Sequence, residues 1–335
     1  MKLRARAPHV LIGCAVLALA AISFASYLLS HRMAASFEEG QFALMGRIVH
    51  SALGSAEGRA VAAAELLATN PAVMKAFAAR DREGLLALTK DGYAALHEKH
   101  GVSQAQFHLA PAVSFLRVHN PPRFGEDLSS YRKMVAEVNA AHAVRKGVEV
   151  TTSGVGIFGT VPMNDASGKS TGSFEFAYEF GPLLDEMKRA YGFEAALYID
   201  EKILRATATS LQGDVLNERN RVGSFLKFHA THPELLEKLV AEGDVRLPEP
   251  TSYVRVAHGI PYGVLVQPVY DYTKRPIGVI AIASDFSAAR SADGAATVWQ
   301  VLFAILGSVF LAVAILVVLH AGRDAAADAH EATRA

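Results

Sequence analysis

One cysteine, Cys14, and one tryptophan, Trp299, are all that 335 residues contain of either type. A lone cysteine excludes an intrachain disulfide, so the fold is held by packed cores and not by cross-links. A charge excess is lacking too: 33 basic residues stand against 33 acidic ones. That balance offers no footing for a nucleic-acid or other polyanion surface. Catalytic signatures are equally scarce. There is no nucleophile elbow, Walker loop, dinucleotide fingerprint or CxxC pair, and Gly154-Val155-Gly156 falls inside a hairpin instead of ahead of a helix. His97 and His100 are three apart, but the intervening sequence is not the HExxH of a zinc protease and suits a solvated helix end. The chain is therefore expected not to be an enzyme, with no cofactor and no metal.

Hydrophobic runs are what the sequence does have. Val10 to Leu29 and Val301 to Leu319 carry no charged residue, and each approaches the roughly 20 residues that cross a bilayer core. Lys2, Arg4 and Arg6 precede the first, which places the N-terminus in the cytoplasm. Its apolar core is long for a signal peptide and no small-x-small site follows, so it reads as an uncleaved anchor. Trp299 suits the outer interface of the second span. The resulting organisation is a cytoplasmic N-terminus (1–9), a transmembrane helix (10–31), an exported region, a second transmembrane helix (296–319) and a short cytoplasmic tail (320–335). The expected location is the inner membrane, with two spans, a periplasmic or extracellular middle and both termini cytoplasmic.

Within the exported region one stretch occurs twice. Gly156 to Phe180 and Tyr262 to Phe286 align without a gap, with Pro162 on Pro268, Asp165 on Asp271, Gly172 on Gly278 and Phe180 on Phe286. Each copy is an extended run, a polar turn and an alternating run, the pattern of a β-hairpin. A duplicated hairpin predicts two similar α+β modules in tandem, over 102–180 and 181–292.

Ahead of them, 32–101 is helical. Met33 to Thr69 reads as one helix continuous with the first span, with Phe37, Leu44, Ile48 and Ala52 at helical spacing beside Met45 and Val49. Its narrow stripe either forms a dimer seam or lies on the modules. Asn70-Pro71 caps a short helix, and Asp81 caps another that ends at Gly101. In the first module, Gln104 to Leu109 and Val113 to His119 read as paired strands, Ser130 to Ala143 as a helix capped by Asp127 or Ser129, and Gly147 to Thr151 as a strand. Gly181-Pro182 opens a helix. In the second module, Phe193 to Asp200 and Lys202 to Ala208 read as a strand pair, since Ile203-Leu204-Arg205 echoes Phe115-Leu116-Arg117. A helix over Pro233 to Ala241 and a strand over Ser252 to Ala257 follow.

The segment Phe107 to Lys133, FHLAPAVSFLRVHNPPRFGEDLSSYRK, is the most distinctive in the chain. It resembles the sensor region of bacterial methyl-accepting chemotaxis proteins and of some sensor kinases that carry a double Cache domain. The resemblance rests on Phe107-His108-Leu109, Ser114-Phe115-Leu116-Arg117, His119, and Asp127-Leu128-Ser129-Ser130 followed by Arg132. Gly154 to Phe180 and Phe77 to Thr89 also look like that family. The resemblance implies two PAS-like modules stacked on a long helix, one membrane-distal and one membrane-proximal. It further implies a small ligand held in the distal module between its sheet and the covering helix and loop. Such receptors continue into a signalling linker and output domain, whereas Leu319 is followed here by a short Ala- and Asp-rich stretch. The signal is therefore expected to pass to a separate cytoplasmic or membrane partner in chemotaxis or signal transduction. A structural or accessory subunit of a membrane complex is the alternative.

The expected ligand residues are Arg117, His119, Tyr131, Arg132, Phe158 and Tyr178. Basic groups near a helix start suit a carboxylate, which Arg holds bidentately and His tunes with pH. Arg117 and His119 serve equally well as pins holding the loop to the sheet. Glu175 and Glu179 alternate opposite the aromatic face and read as a solvated strand face, with contact to a cationic ligand as the alternative. His258, Tyr262, Tyr270 and Asp285 of the second module read as structural. A homodimer is expected.

Overall fold

The computed structural model describes residues 2–211 and 215–332. Residue 1, residues 333–335 of the expected tail and residues 212–214 of the second module lie outside the described residues. The chain divides into two compact units: one runs Phe42–Asp285, and the other joins the residues up to Gln41 with those from Phe286 onward.

Helix α1 spans Lys2–Ala68. It stops where Asn70 accepts the amides of Ala72 and Val73 at 2.9 and 3.4 Å and so caps α2, Pro71–Ala78, with proline where no amide is needed. Asp81 accepts Gly84 N at 2.9 Å to cap α3, Arg82–His100, which Gly101 ends with a φ of 69°. The strands β1 (Val102–Leu109) and β2 (Val113–Arg117) follow, then α4 (Lys133–Ala141), β3 (Arg145–Thr151), β4 (Gly154–Asn164) and β5 (Ser170–Glu179). They form an antiparallel sheet in the order β2-β1-β5-β4-β3. After α5 (Phe180–Tyr191) come β6 (Glu194–Asp200), α6 (Glu201–Thr207), β7 (Arg221–Val222), β8 (Phe225–Ala230), α7 (Pro233–Leu239), β9 (Thr251–Ala257), β10 (Ile260–Tyr270) and β11 (Pro276–Asp285). Their sheet runs β7-β8-β6-β11-β10-β9.

The sequence repeat is a repeat of register. Gly156 pairs with Glu179 and Met163 with Gly172; at the aligned positions Tyr262 pairs with Asp285 and Val269 with Gly278. Both ladders shift at the same place, between Met163 and Asn164 and between Val269 and Tyr270. The aligned aspartates build the same turn. Asp165 accepts Ser167 N, Ser167 Oγ and Lys169 N, while Asp271 accepts Thr273 N, Thr273 Oγ1 and Arg275 N. The aligned glycines answer the same constraint: a Cβ on Gly172 would fall 2.1 Å from His108 O, and one on Gly278 2.2 Å from Tyr198 O.

One expected strand is a helix. Residues 202–208 belong mostly to α6, because Asp200 accepts the amides of Lys202 and Ile203 and Arg205 pairs with Glu201 one turn back at 2.7 Å. The partner of β6 on that side is β8.

The core-facing row of α1 is Met45, Val49, Ala56, Ala60 and Ala64, all buried, whereas Leu44 is exposed. Small side chains let the helix backbone approach β4 where Gly159 has none: a Cβ there would lie 2.4 Å from Val61 N. Near its other end within this unit, α1 passes β10, with Gly46 against Gln267 and Leu265. Phe77 of α2 stacks on Phe107 of β1, which stacks on Phe174 of β5, so the α1–α2 face of the first sheet is closed by aromatics.

In the other unit the early turns of α1 meet α8, Ser287–Ala332. Gln300 Nε2 donates to Ser30 Oγ at 2.5 Å, and Arg290 Nε donates to Glu38 Oε1 at 2.9 Å. Both helices are long and apolar enough to cross a membrane, over Ala15–Ala68 and Val298–Val318, the latter with a mean hydropathy of 3.1.

Candidate functional site

Strand alternation gives the first sheet two unlike faces. Phe107, Phe174, Phe176 and Tyr178 point to α1 and α2. The register brings Gln106, His108, Ser114, Arg117, Glu149, Thr151, Thr160, Ser173 and Glu175 onto the other face, and all are buried. The second sheet, built on the same register, does the opposite. Where β4 and β5 carry Thr160, Ser173 and Glu175, β10 and β11 carry Val266, Val279 and Ala281. Where β1 carries His108, β6 carries Tyr198. These second-module residues form one apolar cluster. The fold therefore has no need of a polar interior at these positions, and burying polar groups costs free energy unless they are fully bonded.

Arg132 sits at the centre of the polar face. Its Nε donates to Glu149 Oε2 at 2.8 Å, and Nη1 and Nη2 donate to the two oxygens of Glu175 at 2.7 and 2.5 Å. The guanidinium lies over the Phe158 ring, 4.5 Å from its centroid. Burial opposes the charge of Arg132, but the two carboxylates outweigh it and raise its pKa. Burial also pushes Glu175 up, and the Arg132 guanidinium overcomes this and brings its carboxyl below the ordinary value; Thr160 Oγ1 donates to it as well. For Glu149 burial wins and the pKa is raised.

Glu149 has a second task that the sequence hides. Helix α4 starts three residues later than expected, and neither Asp127 nor Ser129 caps it. Asp127 instead accepts Ser129 N in a tight turn, and Glu149 from β3 accepts Met134 N at 3.1 Å. The first turn of α4 is thus capped by a residue of the sheet it covers.

The other expected residues divide. Arg117 Nη1 donates to Glu126 and to Arg123 O, and Arg123 Nε also donates to Glu126, which ties the loop after β2 to the sheet. Slight burial raises Glu126, but the two guanidiniums bring its carboxyl down to about 2. His119 Nδ1 lies 3.2 Å from Ala105 O, and burial lowers its pKa. Arg117, His119, Tyr131 and Arg132 converge on one cavity of about 540 Å³, with Gln106 and Thr151 in its wall and Phe228 and His229 of β8 at its edge. Phe158 lies beneath Arg132 and outside the cavity lining. Tyr178 is on the opposite face, under Arg59 of α1, because residues 174, 176 and 178 point away from 173, 175 and 177. Glu175, expected in solvent, is completely buried. Its partner, 43 residues away in sequence, makes that possible. A free guanidinium ready for a carboxylate is not what the site offers: each donor group of Arg132 already faces an acid.

Sequence reasoning places Glu175 in solvent and gives His108 and Glu149 no part in the site. The signal was present in the repeat, since Glu175 aligns with Ala281 and a charged residue replaces an apolar one at a strand-interior position.

Residues 38–289 match the sequence family described as "Double sensory domain of two-component sensor kinase". No curated protein matches the chain. Among solved structures, the ligand-binding domain of the Campylobacter jejuni chemoreceptor Tlp3 in complex with L-valine is 11% identical, with 77% of this chain and 97% of that one covered and a TM-score of 0.38. The Vibrio cholerae histidine kinase DctB sensor domain is 10% identical over 77% of this chain and 97% of that one, at a TM-score of 0.41. An extracellular ligand binding receptor from Desulfohalobium retbaense is 13% identical over 73% of this chain, which spans only 38% of that protein, at a TM-score of 0.35. At this identity and score none of the three bears on which ligand or partner this chain takes.

Proposed function

Because the chain belongs to the double Cache sensory domains of two-component sensor kinases through residues 38–289, we propose that it is a membrane-anchored sensor whose first module, residues 102–180, binds a small molecule. The observation that carries this reading is the polar interior of that module beside the apolar interior of its twin, at register-equivalent positions. In this module Glu175, with Thr160 bonded to it, holds Arg132 at the wall of the cavity, where the twin has only apolar packing. The cavity over this face is lined by Arg117, His119, Arg132 and Tyr131, and a small anion such as a carboxylate would engage a guanidinium there in place of the acid that now holds it.

The two apolar helices anchor the sensor, and Lys2, Arg4 and Arg6 favour a cytoplasmic N-terminus and a periplasmic sensory region. The second module, residues 181–292, is then the membrane-proximal one, and a homodimer through α1 and a separate signalling partner complete the scheme. The turn of the second hairpin is already coupled to the ligand module. Tyr272 N donates to Val148 O at 2.9 Å and Tyr272 Oη to Glu137 at 3.1 Å, which gives a shift of α4 or β3 a bonded route to the turn between β10 and β11.

The test is thermal unfolding of the full chain in lipid nanodiscs against a library of small carboxylates, amino acids and phosphates. A ligand at a hundredfold its Kd adds about 2.7 kcal/mol, which corresponds to roughly 5–10 °C in a region of this size. At least one compound is expected to give that shift, and Tyr131→Ala to abolish it. A library with no active compound, together with no small molecule released from the purified protein on denaturation, overturns the proposal.

A further inference from the structure

His108 is fully buried, yet neither ring nitrogen has a hydrogen-bond partner among the described residues. Its Nε2 stands 3.5 Å from Glu175 Oε1. That is the same oxygen that accepts Arg132 Nη1 at 2.7 Å. The imidazole waits one short step behind the guanidinium, on the carboxylate both could serve.

The groups facing it explain why it waits. From β5, Glu175 favours a charged ring. Arg132 at the start of α4, Arg117 at the end of β2 and His119 just beyond it all oppose one. Burial opposes it more than any of them and holds the ring near a pKa of about 4. Glu149 of β3 is engaged with Arg132. While Arg132 is docked, the balance keeps His108 neutral. If Arg132 leaves Glu175, the nearest opposing cation goes, and a buried carboxylate is left without its partner. Two groups then remain within reach of it: Thr160, whose hydroxyl is uncharged, and His108.

We propose that His108 is the reserve counter-ion of Glu175: when an anion in the cavity draws the Arg132 guanidinium away, His108 takes a proton from solvent and closes on the freed carboxylate. The idea rests on the small-molecule reading of this module for its trigger. The exchange creates one N–H bond on the ring and breaks no covalent bond in the protein. One proton enters with each ligand, so between the pKa values of His108 in the two states the affinity for the anion rises tenfold for each unit by which pH is lowered.

The exchange itself is testable without a ligand. In the full chain in nanodiscs, Arg132→Gln removes the guanidinium, and its melting temperature is compared with that of the unsubstituted protein at pH 7.5 and 5.0. The deficit caused by Arg132→Gln is expected to shrink by several degrees at pH 5.0. In the double variant His108→Gln/Arg132→Gln, measured against His108→Gln, the deficit is expected to shrink less, by only what protonation of the uncompensated Glu149 and Glu175 supplies. A deficit that is constant or grows in acid, a recovery equally large without His108, or an Arg132→Gln protein unfolded at both pH values overturns the proposal. Recovery at pH 5.0 from an unfolded state at pH 7.5, dependent on His108, supports it. The anion library described above reports separately on the trigger: if no anion binds, the sensor reading fails while the exchange of counter-ions is still decided by these variants.

Discussion

Replacing Gly159 by valine is expected to lower the melting temperature of the full chain by about 6–12 °C. The first added atom decides it. A Cβ at 159 would stand 2.4 Å from Val61 N and 2.5 Å from the carbonyl carbon of Ala60, both backbone atoms of α1. Neither can rotate away as a side chain would, so helix and sheet must separate, and the buried row Ala56, Ala60 and Ala64 loses its contact with β4. Overpacking of this kind costs about 3 kcal/mol at the upper end of the usual range, and in a region of this size each kcal/mol is worth roughly 2–4 °C. Gly54→Ala is the matching control. Gly54 lies on the exposed side of the same helix with nothing within 4 Å, and alanine there is expected to raise stability by about 1 kcal/mol through helix propensity alone. Differential scanning calorimetry of both variants distinguishes a helix clamped to the sheet from one that merely runs beside it. Equal melting temperatures for Gly159→Val and the unsubstituted chain would dismiss the clamp.

The contrast between those two glycines also marks what could be read from the residues in order. Features whose partners are close in sequence were legible: the caps at Asn70 and Asp81, the stop at Gly101 and the two hairpins with their Asp165 and Asp271 turns. The repeat went further, because an ungapped alignment of hairpins fixes register as well as strand identity. Non-local pairings were not legible. Helical spacing marks Phe37, Leu44, Ile48 and Ala52 as the stripe of α1 with Met45 and Val49 beside it, but the row that faces the sheet is that of Met45 and Val49 and leaves Leu44 exposed, because the shape of β4 and β10 selects it. Over residues 202–208 Ile203-Leu204-Arg205 imitates the β2 sequence and suggests a strand, whereas the Asp200 cap decides for a helix. The site divided along the same line. Arg117, His119, Tyr131 and Arg132 lie on or near one loop and were found together. Glu149 and Glu175 come from strands 17 and 43 residues away from Arg132, and a lone carboxylate in an alternating strand resembles a solvent-facing one until its partner is known. Tyr178 failed by a single step of alternation.

Between neutral pH and pH 4 the ligand-free protein is expected to lose about 3 kcal/mol through His108 alone, and His108→Gln to remove that loss. In the unfolded chain the imidazole titrates near 6.5; in the fold, burial lowers it to about 4. Above pH 6.5 the ring is neutral in both states and contributes nothing. As pH falls below 6.5 the unfolded chain takes up a proton that the folded one refuses, and stability drains until the folded pKa is reached. The difference of about 2.5 units is worth roughly 3 kcal/mol, or about 6–12 °C. Glu149 works in the other direction: its raised pKa means that the folded state gains a proton first, so it adds stability as the solution turns acid. The measurement is therefore a difference, the melting temperature of the unsubstituted chain minus that of His108→Gln at each half unit from pH 7.5 to 4. That difference is expected to fall steeply through the window, and a flat line would mean that His108 is not held neutral in the fold. A steep line carries a further consequence. Burial and the nearby guanidiniums hold the ring neutral, so any event that removes Arg132 from its neighbourhood raises the ring's pKa and lessens what acid costs this module.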